Sequence, residues 1–176
     1  MSIALTSPAP EFALPGVDGA IHTLADYGSS PVLVLVQSCN HCPYVLAWEG
    51  RLAAIAAEYR DRGVAIVAFN SNDADRYPED SFERMREHAK DAGFPFDYLH
   101  DAHQELARAL GAERTPEVFV FDRERRLVYH GAIDDNRDED AVSATYLRDA
   151  LEAILSGNAV ALADTPPVGC TVKWRE

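Results

Sequence analysis

Val32-Leu33-Val34-Leu35-Val36-Gln37-Ser38-Cys39-Asn40-His41-Cys42-Pro43-Tyr44 decides the reading of this chain. Its first five residues are apolar without alternation and rich in β-branched side chains. Such a run is a strand buried on both faces, at the centre of a parallel or mixed sheet. After it, Val45, Trp48, Leu52, Ile55 and Tyr59 recur every three or four residues, the apolar face of a helix. Two cysteines separated by two residues therefore stand where a buried strand ends and a helix begins. That placement is a redox or metal-binding device.

Outward from this turn, the pattern repeats. Upstream, Pro8 to Pro15 is extended because prolines exclude helix. Asp18-Gly19 between apolar residues signals a hairpin, and Tyr27 to Pro31 is a loop. Downstream, Asp61-Arg62-Gly63 ends the first helix and Val64 to Asn70 is a second buried strand. Ser71 to Asp80 is a polar loop. Phe82, Met85 and Ala89 mark a second helix, Phe96 to Leu99 a short strand, and Leu106, Ala107 and Leu110 a third helix. Glu117–Phe121 and Leu127–His130 flank a charged turn and predict an antiparallel hairpin. Asp134 to Asp140 is expected to be a solvated acidic loop, without the spacing of a calcium loop. Val142, Tyr146, Ala150 and Ile154 mark a last helix. Strands alternating with helices predict one α/β domain over residues 1–176, with a hairpin extension over 1–31 and a tail over 158–176.

The net charge of -13 removes nucleic acid from the expected partners, since phosphates require a basic face. No apolar run is long enough to span a bilayer, and the first residues lack a basic region followed by an apolar one. A cytoplasmic location, no membrane and no cofactor are the expectations. Three cysteines, Cys39, Cys42 and Cys170, are too few for a disulfide scaffold, so the close pair is expected to be chemical.

The order of elements and the turn together resemble the thioredoxin-like superfamily. The particular likeness is to its peroxiredoxin-like (AhpC/TSA-redoxin) and TlpA/ResA-like members. Pro8 to Leu14 with the following hairpin resembles their N-terminal extension, and Cys39 to Val45 their active-site turn. Thr115-Pro116-Glu117-Val118-Phe119 resembles their cis-proline strand, and Thr165 to Trp174 the ending of relatives with a Cys-Asn-His-Cys-Pro-Tyr turn. The resemblance implies a thioredoxin fold: a three-layer α/β/α domain with a central mixed sheet. It implies that Thr115-Pro116 is cis, leaving the Thr115 backbone free to pair with an extended substrate opposite Cys39. Two departures stand out. The peroxide-positioning threonine of peroxiredoxins, three residues before the cysteine, is here Val36, and the buried acid of thioredoxins, six residues before, is Leu33.

A helix N-terminus stabilises a thiolate, the attacking species, and depresses cysteine pKa values to roughly 3.5–7.5. Cys39 is expected to be the nucleophile, as the more exposed of the pair, with Cys42 completing the exchange. His41 and Asn40 are the expected tuners of the potential, Thr115 and Pro116 the substrate-binding pair. Cys170 is either a resolving thiol or a small packing residue. The expected activity is thiol–disulfide exchange through a redox-active Cys39/Cys42 disulfide, with protein or small-molecule disulfides and dithiols as partners. The rivals are an antioxidant, peroxiredoxin-like thiol peroxidase acting on peroxide, and a Cu(I) or Zn carrier with His130 or His100 as third ligand.

Overall fold

The computed structural model describes residues 1–176. Its centre is β3 (Val32–Ser38), parallel to β4 (Val64–Asn70) on one side and antiparallel to β7 (Glu117–Phe121) on the other. β5 (Asp97–His100) extends the sheet beyond β4, and β8 (Leu127–Gly131) beyond β7, giving the order β5-β4-β3-β7-β8. The mixed sheet explains the unbroken apolar run. Val32, Val34 and Val36 point to one face and Leu33 and Leu35 to the other, and all five are buried.

On the first face pack α1 (Pro43–Tyr59), α2 (Phe82–Ala92) and α4 (Tyr146–Leu155), through Trp48, Leu52, Ile55, Met85, Ala89, Leu147 and Leu151. On the second lie α3 (Glu105–Leu110) and the N-terminal segment, through Leu106, Leu110, Phe12, Leu24 and Tyr27. Each such large apolar side chain contributes roughly 1.5–3 kcal/mol when fully buried. The N-terminal hairpin pairs β1 (Ala13–Pro15) with β2 (Ile21–Thr23) around Asp18-Gly19. It joins the main sheet through the Val17 amide, which donates to the Tyr98 carbonyl. No helix is long and apolar enough to cross a membrane.

Gly63 ends the α1 segment in the left-handed region at φ 85°, where a side chain would also strike Pro31. The first turn of α1 is equally well specified: Cys42 is the N-cap and Pro43 takes the first helical position, where no amide bond is lost. A third small sheet pairs β6 (Arg114–Thr115) with β9 (Cys170–Thr171), bringing the tail back to the middle of the molecule. The acidic loop departs from expectation at Asp134. Its carboxylate is buried, accepting from the Trp48 indole and from Arg51, both on α1. Two donors from a distant helix convert a nominally solvated residue into a structural anchor.

Candidate active site

The turn between β3 and α1 is held from below by Asp80. This residue is fully buried, at the end of the polar loop after β4. Its Oδ1 accepts from the Asn40 amide at 2.8 Å and from Asn70 at 3.0 Å. Its Oδ2 accepts from Asn72 at 2.8 Å and lies 2.9 Å from His41 Nδ1. Asn40 is further fixed by its own amide group, which donates to the Glu79 carbonyl, and by the Tyr98 hydroxyl, which donates to Asn40 Oδ1 at 2.7 Å. Four partners on one carboxylate satisfy its lone pairs, which is what a buried charge requires. Asp80 was not singled out in the sequence because nothing in a polar loop marks which acid turns inward.

The turn presents its two sulfurs to Thr115. Cys39 Sγ is 3.7 Å from Thr115 Oγ1, and Cys42 Sγ is 3.4 Å from the Thr115 carbonyl oxygen. The Thr115-Pro116 bond is cis, as the resemblance implied. Two expectations fail. Cys39 is not the more exposed of the pair, since both cysteines are 2% exposed. The Thr115 backbone is not free, because Cys170 of β9 already stands opposite it. The same strand sets Cys170 Sγ 2.7 Å from Cys42 Sγ, and all three cysteines are unbridged.

The electrostatics of the three sulfurs differ. Cys42 is pulled down to about 4, by the hydrogen bond from Cys39 and, against the cost of burial, by Cys170 and the Val45 amide of the first helical turn. Cys39 is pushed up by donating to Cys42, by burial and by the nearby Asp80 carboxylate. Cys170 is raised to about 11 by burial and by its hydrogen bond with, and nearness to, Cys42. The helix N-cap thus belongs to the second cysteine, which is the sulfur whose pKa is lowered.

On the far side of Thr115, Glu117 is buried at the start of β7. Its Oε2 accepts from the Glu113 and Arg114 amides at 2.7 Å each, and its Oε1 lies 2.6 Å from His130 Nε2. His130 Nδ1 is 2.7 Å from Asp164 of the tail. Burial opposes a charged His130, but its bonds to Glu117 and Asp164 outweigh that cost and raise its pKa. His130 is therefore not poised as a third ligand for the cysteines, and His100 stacks on Phe82 instead. The metal-compatible group near the dithiol is Cys39, His41 and Asp80, whose ligand atoms lie within 4.8 Å of one another. The Asp80 oxygens there are already committed to four partners, so an ion would have to displace existing bonds.

A dithiol at a strand-to-helix turn, facing a cis proline on the antiparallel neighbour strand, defines a redox protein of the thioredoxin fold. The peroxiredoxin threonine position, Val36, is sealed in the sheet between Ala68 and Val118 and offers no hydroxyl. The chain belongs to the AhpC/TSA family, whose description matches residues 5–130. It is similar to the thiol-disulfide oxidoreductase ResA of Geobacillus thermodenitrificans, 26% identical over 128 residues, 72% of this chain and 68% of that protein. Two solved structures are similar over nearly the whole length. A hypothetical protein of Sinorhizobium meliloti 1021 is 43% identical, with a TM-score of 0.94 over 99% of this chain and 97% of that one. An uncharacterized conserved protein of Geobacillus kaustophilus is 42% identical, with a TM-score of 0.93 over 98% and 93%.

Proposed function

We propose that this protein is a thiol–disulfide oxidoreductase whose working couple is Cys39/Cys42. The observation that carries the reading is the dithiol itself, both sulfurs set on Thr115 beside the cis Thr115-Pro116 bond and the turn fixed by Asp80 and the α1 N-cap. Reduced, the pair holds two electrons as one thiolate and one thiol. Oxidised, it forms one S–S bond and the electrons pass to a partner disulfide; of the two sulfurs released there, one takes the proton given up by Cys39 and the other leaves as thiolate or takes a proton from water. Cys42, the sulfur stabilised as thiolate, attacks and leaves in these exchanges, while Cys39 supplies the second sulfur. Asp80 lies close enough to Cys39 to receive its proton through His41 or water, the task for which Leu33 is unsuited.

The reading is tested by equilibrating the protein with dithiothreitol redox buffers and following thiolate absorbance. A two-electron transition is expected, with a thiolate titrating below the ordinary thiol range that vanishes in Cys42→Ser. A wild-type protein without a two-electron transition overturns the proposal. A thiolate that persists in Cys42→Ser and disappears in Cys39→Ser overturns the assignment of roles. Peroxide turnover is the competing activity. The raised thiol of Cys39 and the absence of a hydroxyl at Val36 weigh against it, and peroxide consumption faster than disulfide exchange would favour it.

A further inference from the structure

The edge beside Thr115, where an extended polypeptide would pair, is occupied by the chain itself. β9 runs antiparallel to β6, with Cys170 opposite Thr115 and Thr171 opposite Arg114. Just before it, Gly169 approaches so closely that a Cβ would lie 2.0 Å from the Thr115 carbonyl oxygen and 3.2 Å from the Pro116 nitrogen. Only a residue without a side chain fits against this bond.

The segment is fastened at both ends. Upstream, the His130 amide donates to the Ala163 carbonyl and the Thr165 amide to the His130 carbonyl. Thr165 itself is buried, its hydroxyl bonded to Tyr129. Downstream, the Val172 amide donates to the Glu113 carbonyl and the Lys173 amide to Asn72. The Lys173 carbonyl accepts from the Asp73 amide and from Gln104, which in turn accepts from the Arg175 amide. A strand anchored by this many backbone bonds is a fixed part of the sheet. Between the anchors, Cys170 meets Cys42 and is the half-buried sulfur, while Cys39 and Cys42 are sealed beneath it.

We propose that the tail fills the polypeptide position of the site, and that Cys170 is the sulfur through which the buried pair exchanges electrons with low-molecular-weight thiols and disulfides. This rests on the reading of Cys39/Cys42 as a redox dithiol. In the reducing direction, an external thiolate attacks Cys170 in a Cys42–Cys170 disulfide. The S–S bond breaks, Cys42 leaves as thiolate, and Cys170 carries the external sulfur as a mixed disulfide. A second external thiolate attacks that external sulfur, releasing the small disulfide and the Cys170 thiolate, which takes a proton from water. Two external thiols have been oxidised and one protein disulfide reduced. The same path run backwards oxidises the protein. Cys39 connects by attacking Cys42, moving the disulfide inward to Cys39–Cys42 and freeing Cys170. A thiolate-stabilised sulfur leaves fastest, which suits Cys42 to the central position.

The experiment compares reduction of oxidised glutathione and of insulin by the reduced full chain, in wild type, Cys170→Ser and Gly169→Val. Wild type is expected to react with oxidised glutathione at least about tenfold faster than with insulin, per disulfide. Cys170→Ser is expected to lose roughly tenfold or more on glutathione while keeping the Cys42 thiolate absorbance. Gly169→Val, which drives the tail from Thr115, is expected to gain on insulin. Partial oxidation should yield a Cys42–Cys170 linked peptide. Wild-type glutathione rates in Cys170→Ser, or equal wild-type rates on insulin, overturn this inference and leave the oxidoreductase reading intact. A wild type inert to both substrates overturns the reading on which it rests.

Discussion

Two buried carboxylates flank the dithiol and are satisfied in different ways. Asp80 faces the turn, and its partners are a backbone amide, two asparagines and the partly exposed His41, whose side chain is 37% exposed. Glu117 faces Thr115, and its partners are two backbone amides and a buried histidine that reaches on to the tail. The first arrangement holds the turn through the Asn40 amide and His41. The second contains a titratable partner and ties the loop before the cis proline to the tail. Both sides of the site hold a histidine, but only His130 is buried and set between two carboxylates.

The largest effect is expected from Asp80→Ala. It strands the donors of Asn70, Asn72 and the Asn40 amide in the interior, and breaking such a buried charged network costs about 3–5 kcal/mol. Urea unfolding of the reduced protein measures it, and a loss below about 1 kcal/mol would remove Asp80 as the anchor of the turn. Glu117→Gln keeps an acceptor for one side and loses the charge, so about 2 kcal/mol is expected, read in the same way.

The pH dependence sharpens the contrast. His130 has a folded pKa above its ordinary 6.5, so its contribution is fully present below that value and is lost as pH rises through the raised folded value. Unfolding free energy in wild type should carry this component above pH 6.5, and Glu117→Gln should lessen it while Asn72→Ala leaves it in place. A wild-type component that instead grows with rising pH would reverse the assignment. The smallest effect belongs to Tyr98→Phe, which removes one neutral hydrogen bond to Asn40 and should cost about 1 kcal/mol.

The sheet and its helices were legible because their signals are local. Val32 to Val36 alternates between two cores, so every position is apolar, and α1 repeats with helical spacing. The dithiol was legible for the same reason, being four consecutive residues between two such signals. The inward acids were not. Asp80, Glu117 and Asp134 each take a partner from 13 to 86 residues away, and no periodicity in their own segments announces those partners. The burial of Cys39 is hidden from the sequence for a related reason: the tail packed over the cysteine cluster has no apolar stripe, and its position follows from backbone pairing and from the missing side chain of Gly169.

That pairing also has a consequence in time. A chain is made from its N-terminus. β3, α1, β7 and β8 are all complete before residues 163–172 exist. Cys39 and Cys42 are thus synthesised well before the strand that closes over them, and Cys42 has no Cys170 to meet until that strand has been made.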